Sequence, residues 1–151
     1  MTNRTHSISA QLAKAYQQAY YVIHGKDREI QLRVGQASPE LAALMQQHDT
    51  QSAAFLTAYN PYSVLLSAEE NARNHNALIN DIAALGLKWI TGEGADASNL
   101  WPSEPSVLVL GITLQSAERL ADQYQQNAFL WIARVDGLVR LNLRYPIGDA
   151  N

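Results

Sequence analysis

The chain contains no cysteine. That excludes disulfides, thiolate nucleophiles and cysteine-ligated zinc or iron–sulfur centres. It also lacks an excess of positive charge. Eleven Lys and Arg stand against 14 Asp and Glu, giving a net charge of -3 and a sequence pI of about 5.7. General nucleic-acid binders carry a basic face, so none is expected here, although a local basic patch stays open. No stretch approaches the roughly 20 apolar residues of a membrane span, and the first ten residues have no apolar run of the signal-peptide kind. The expectation is a soluble, cytoplasmic protein of bacterial type with no membrane partner. Pro/Gly/Ser-rich linkers and internal repeats are missing too, so residues 1–151 read as a single domain. His6, His24, His48 and His75 show no ligand spacing, so no histidine metal site is expected, and no motif names a cofactor. What is present is an apolar fraction of 47% against 17% charged residues, the balance of a globular protein with a real core.

Apolar residues at helical spacing (Ile8, Leu12, Ala15, Tyr16, Ala19) predict a helix from Ser7 to about Gln18. Tyr20 to His24 reads as a strand. Gly25-Lys26-Asp27 is a turn, and Ile30, Leu32 and Val34 alternate with polar residues as a second strand of a hairpin. Ser38-Pro39-Glu40 is a helix start: a capping hydroxyl, a proline suited to the first position and a carboxylate at the positive end of the dipole. After residue 50 the predicted order is strand 53–59, helix 67–85 with a Ser67/Glu70 capping box, strand 87–91, strand 106–112, helix 114–126 and strand 128–135. Trp89 and Trp131 are expected in the core, and Tyr16, Tyr20 and Tyr21 are expected to pack the N-terminal part onto the sheet. The fold class is therefore α+β. It has a ferredoxin-like β-α-β-β-α-β centre over 53–145, an N-terminal helix–hairpin–helix addition over 1–50, and an extra C-terminal edge strand, 138–145.

That topology predicts a meeting point. The first strand ends at Asn60, where helix 67–85 begins. The second strand ends in Gly92-Glu93-Gly94, read as a tight turn. The loop after it carries Asp96, Trp101 and Glu104 up to Ser106, and helix 114–126 ends at Gln126-Asn127. Thr57, Asn60, Glu93, Asp96, Trp101, Glu104, Ser106, Gln126 and Asn127 should thus share one rim, with Asn71 pointing inward nearby. Such strand-end rims are where sites sit on rigid scaffolds. Thr57-Ala58-Tyr59-Asn60-Pro61, Asn71, Gly92-Glu93-Gly94, Trp101-Pro102-Ser103-Glu104-Pro105-Ser106 and Gln126-Asn127-Ala128, taken in that order over roughly Ala53 to Val135, resemble a bacterial domain-of-unknown-function family, number thirty-two ninety-three. The resemblance implies where the site lies and implies no reaction.

Each motif also has a structural role. Asn60-Pro61 is a turn starter, Asn71 a loop brace, Gly92-Glu93-Gly94 a turn, Asp96 a solvated loop acid, and Gln126-Asn127 a helix end. His75 reads as a satisfied, partly buried histidine. Ser106 has no GxSxG context and no histidine partner, so a serine nucleophile is not expected. Glu104 lies between two prolines behind Trp101, a stiff setting that suits a working carboxylate. Glu93, Asp96 and Glu104 would also give an acid–base pair or a magnesium site if they met. Three functions follow as expectations. The first is recognition of a small polar or nucleotide-like ligand by Thr57, Asn60, Asn71, Glu93, Trp101, Ser106, Gln126 and Asn127. The second is an enzyme using Glu104 as general base or metal ligand. The third is an interaction module that pairs through the edge strand.

Overall fold

A computed structural model describes residues 6–95 and 103–148. Asp96 and Trp101 lie outside them. The described helices are α1 (Ala10–Gln18), α2 (Pro39–Gln47), α3 (Ala68–Ala84) and α4 (Leu114–Gln123). The strands are β1 (Tyr20–His24), β2 (Glu29–Leu32), β3 (Ser52–Leu56), β4 (Lys88–Ala95), β5 (Glu104–Leu110), β6 (Ala128–Ala133) and β7 (Val139–Leu143). Together they make a mixed α/β protein with one sheet in the order β2-β1-β4-β5-β3-β6-β7, each neighbouring pair antiparallel.

The helices begin where local chemistry stops the orphaned backbone N–H groups from going unpaired. Ser9 Oγ accepts from Leu12 N, Ser38 Oγ from Leu41 N, and Thr113 Oγ1 from Ser116 N. At α3, Ser67 and Glu70 form the reciprocal capping box. Strand limits differ more from expectation. β3 stops at Leu56. β4 runs on to Ala95, so Gly92-Glu93-Gly94 is a strand segment and not a turn. The reason is packing. A Cβ on Gly92 would stand 2.3 Å from Val22 O and 2.9 Å from the Phe55 ring, so only a bare backbone lets β1 and Phe55 close on β4 at that point. The N-terminal hairpin thereby joins the main sheet, with Tyr21 opposite Gly94 and Ile23 opposite Gly92.

Alternation along the strands creates two apolar faces. On the outer face, Ala54, Leu56, Val107, Val109 and Phe129 pack against Leu78 and Ile82 of α3 and Ala117, Leu120 and Ala121 of α4. On the inner face, Ile23, Leu32, Phe55, Leu108, Leu110, Leu130 and Ile132 pack against Leu41 and Met45 of α2. The sheet curls around α2 until its two ends touch. Past β2, Gly35 N donates to Val139 O at 2.9 Å, Val139 N donates to Gln36 O at 3.0 Å, and Ala37 bridges Leu138. The β7 edge is therefore covered at its start. Trp131 packs partly buried on the outer face, whereas Trp89, expected in the core, is 36% exposed. Tyr20 is exposed to the same extent and carries the Arg33 guanidinium over its ring. No helix among the described residues is long and apolar enough to cross a membrane.

Candidate functional site

α2 fills only one end of the inner face. At its start, Ser38 N donates to Gly137 O, in the connection between β6 and β7. At its other end the chain passes within a few residues into β3. Both ends of the helix therefore lie where β3 begins, and the opposite end of the face, where β3 finishes, is left to other groups. Beyond Phe55, Leu130 and Leu141 that end is lined by polar residues and borders a partly open cavity of about 80 Å³. Its walls come from β5 (Glu104, Ser106), the segment after β3 (Thr57, Tyr59, Asn60, Ser63), the end of the α4 connection (Gln126, Asn127), Gly94 of β4, and Tyr16 and Tyr21 of the N-terminal part. Glu104, Ser106, Leu108 and Leu110 follow one another at strand spacing, so one row of β5 passes from cavity wall to core.

Asn60 anchors this rim. Its backbone is left-handed, φ 48 and ψ 68, and is held there by Asn71. Asn60 N donates to Asn71 Oδ1 at 2.9 Å, and Asn71 Nδ2 donates back to Asn60 Oδ1 at 2.8 Å. Asn60 Oδ1 also accepts from Leu66 N. With those bonds made, Asn60 Nδ2 points at Glu104 and donates to its Oε2 at 2.7 Å. Tyr62, Ser63 and Gln125 also have positive φ, and Tyr62 N donates to Gln125 O at 2.8 Å. Such backbone costs about 1–3 kcal/mol per residue, and at Gln125 it closes α4, where Gln125 N donates to Asp122 O and Gln126 N to Ala121 O.

Glu104 is partly buried. Burial pushes its carboxyl above the usual carboxylate value, and the hydrogen bond from Asn60 offsets this only in part. None of the described ion pairs includes Glu104. Sharing the cavity with it are phenols whose hydroxyls are already engaged. Tyr21 Oη donates to Tyr16 O, Tyr16 Oη shares a hydrogen with Ser63 Oγ at 2.6 Å, and Asn127 Nδ2 donates to Tyr16 Oη. Asn127 Oδ1 in turn lies 2.8 Å from His6 Nε2. Burial raises both tyrosines, Tyr21 strongly, so both remain phenols at neutral pH.

Of the sequence-predicted residues, the structure brings Thr57, Asn60, Glu104, Ser106, Gln126 and Asn127 to the cavity wall. Thr57 Oγ1 donates to Pro105 O, Ser106 Oγ to Glu104 O, and Gln126 Nε2 to Tyr59 O and Tyr124 O. Asn71 lies behind the wall as the brace of Asn60. Glu93 is not brought in. It pairs with Pro105 across β4–β5 while Glu104 pairs with Gly94, so the two carboxylates face opposite sides of the sheet. Glu93 instead meets His24 Nε2 at 3.1 Å. The Glu93–Glu104 pair considered from sequence is thus not formed. Among the described residues no group of three or more His, Asp or Glu side chains is placed to hold a metal ion. His75 departs from expectation as well. Its Nδ1 is buried with no partner among the described residues, and burial lowers its pKa.

Sequence reasoning missed Tyr16, Tyr21 and Ser63 as wall residues. Nothing local signals them. They reach the cavity because β1 pairs with β4 and because the turn Pro61–Ser63 folds back onto Gln125.

Residues 56–129 match the model of a family described as protein of unknown function (DUF3293). The match runs from the end of β3 to the start of β6 and so includes Asn60, Asn71, Glu104, Ser106, Gln126 and Asn127. Tyr16, Tyr21 and His6 lie before it. No curated protein and no solved structure matches the chain.

Proposed function

We propose that the chain binds a small polar ligand in the inner-face cavity, with Glu104 as the group that selects it. One observation carries this reading: a partly buried carboxylate stands at a cavity wall, oriented by an amide from Asn60, with no described ion-pair partner. A protein that needed Glu104 only for folding would gain by pairing it or by replacing it with a neutral residue. Of the six polar residues buried among the described ones, Asn60, Asn71, Ser106, Gln126 and Asn127 all serve this wall or its brace. A ferredoxin-like reading of the centre and a single-domain reading of the chain belong to the same proposal. They are supported by the β-α-β-β-α-β order of β3 to β6 and by the continuity of one sheet through the N-terminal hairpin.

A second reading rests on the raised carboxyl of Glu104. A carboxylate that holds its proton more tightly than usual is better matched to general base work near neutral pH. This would make the same cavity the centre of a small enzyme. Pairing through β7 has less support, since the start of that edge is already occupied by Gly35 and Gln36.

The experiment is a thermal-shift screen of nucleosides, nucleotides, amino acids, sugar phosphates and divalent ions against the wild type and Glu104→Gln. A ligand at 100 times its Kd adds about 2.7 kcal/mol, or roughly 5–10 °C for a chain of this size. A shift seen in the wild type and lost in the variant supports the site. Shifts of equal size in both proteins would remove Glu104 from it.

A further inference from the structure

We infer that the group entering the cavity is a compact organic cation, a protonated amine or its close equivalent, and not a phosphate or carboxylate. This deepens the proposal above and rests on it. Charge is the first reason. The described residues lining the cavity include no Lys, Arg or His, and their one formal charge is that of Glu104. An anion placed there would meet repulsion and find no cation to offset its lost hydration.

The hydrogen bonds point the same way. The wall amides already have protein acceptors: Gln126 Nε2 serves Tyr59 O and Tyr124 O, Asn127 Nδ2 serves Tyr16 Oη, and Asn60 Nδ2 serves Glu104. The nearby N-terminus of α3 is closed by its own capping box and carries Glu69 and Glu70 in its first turn. An oxyanion would find both hydrogens of Gln126 Nε2 taken and only the second hydrogens of the Asn60 and Asn127 amides uncommitted, and at Asn60 it would arrive beside the Glu104 carboxylate. An N–H donor would displace nothing, because Asn60 holds Oε2 of Glu104 and no described residue hydrogen-bonds Oε1.

The rest of the wall fits a cation. Tyr16, Tyr21, Tyr59 and Phe55 contribute aromatic surface around the carboxylate, and aromatic faces attract ammonium groups more strongly once these are out of water. Size sets the last limit. A volume of about 80 Å³ is near half of a benzene-binding cavity of about 150 Å³. It admits an aminoalkyl head and leaves the remainder of a larger ligand outside.

The test uses the whole chain and three probes of matched size: propylammonium, propionate and propanol. Binding is followed by thermal shift and by amide NMR shifts at Gly94, Ser106 and Asn127, which line the cavity. Propylammonium should raise the melting temperature and move those resonances, propionate and propanol should do neither, and Glu104→Gln should weaken the ammonium by about tenfold to a hundredfold. Gln at 104 keeps an oxygen for Asn60, and the NMR arm on wild-type protein reads binding even if the variant is unstable. Propionate or propanol moving the cavity resonances more than propylammonium would overturn the cationic assignment and leave a binding cavity in place. Silence from all three, together with silence in the wider ligand screen, would overturn both.

Discussion

At the scale of single residues the rim is built by mutual constraint. Asn60 tolerates its left-handed backbone because asparagine is among the few residues that do so cheaply. It stays there because Asn71 satisfies both its N–H and its Oδ1. The gain is that Asn60 Nδ2 has one direction left, toward Glu104. The carboxylate so held has a consequence for stability. Its pKa is raised above the ordinary 4.5, so between that value and the raised one the folded state binds more protons than the unfolded chain. Stability must then fall as pH rises through the window. Glu104→Gln does not titrate there and still accepts from Asn60. Its melting temperature should draw ahead of the wild type as pH rises from the ordinary carboxylate value through the raised one, then hold a constant lead. Melting curves across that range check it, and a pH-independent difference would contradict the raised carboxyl. Thr57, Asn60, Glu104, Ser106, Gln126 and Asn127 can be placed on one rim from sequence because strand ends and helix starts are locally marked. Tyr16 and Tyr21 cannot, because their position depends on a pairing between segments far apart in the chain (Tyr21 with Gly94).

Among the elements, local chemistry settles the helices and packing settles the strands. Ser38, Ser67 and Glu70 announce their helices because a cap is satisfied by neighbours in sequence. Gly92-Glu93-Gly94 carries an equally clear local signal for a turn, yet it lies within β4. There the two glycines answer to Phe55 and Tyr21 across the inner face, a demand no local reading can see. Gly92→Ala measures that demand. Its Cβ would lie within 2.3 Å of Val22 O, a backbone atom that cannot swing aside. Either β1 moves off β4 or the sheet strains, at a cost of about 3 kcal/mol or more. Urea unfolding should show the midpoint fall accordingly, with Tyr21 and Gly94 resonances most displaced. A loss under about 0.5 kcal/mol, the scale of an ordinary surface change, would mean the strands are not so tightly apposed.

For the molecule as a whole, the closure between the segment after β2 and the start of β7 separates a curled sheet from an open one. It makes an unusual contrast along one edge. The Val139 amide is bonded to Gln36 O. Leu141 sits two positions on, so its amide faces the same way, and no described backbone bond takes it. Hydrogen exchange should find Val139 protected and Leu141 fast, although both are on the last strand. Equal, rapid exchange at the two would indicate that the sheet ends do not meet in solution. The curl is not legible in sequence. Alternation marks Val139, Leu141 and Leu143, but not what lies opposite the far side of a strand.

The span that matches the family, residues 56–129, stops short of two walls of the cavity. Glu104 and the amides that orient it fall inside, whereas the phenols of Tyr16 and Tyr21 arrive on a separate, earlier piece of chain. The cavity is in that sense modular: under the proposed binding, one part would set the sign of the charge a guest must carry, the other the shape of the room it enters. The seam between them is backbone pairing of β1 with β4, which is largely indifferent to side chains except at Gly92. A relative could therefore replace its first helix and strand, exchange phenols for smaller or larger groups, and take a differently shaped guest of the same charge.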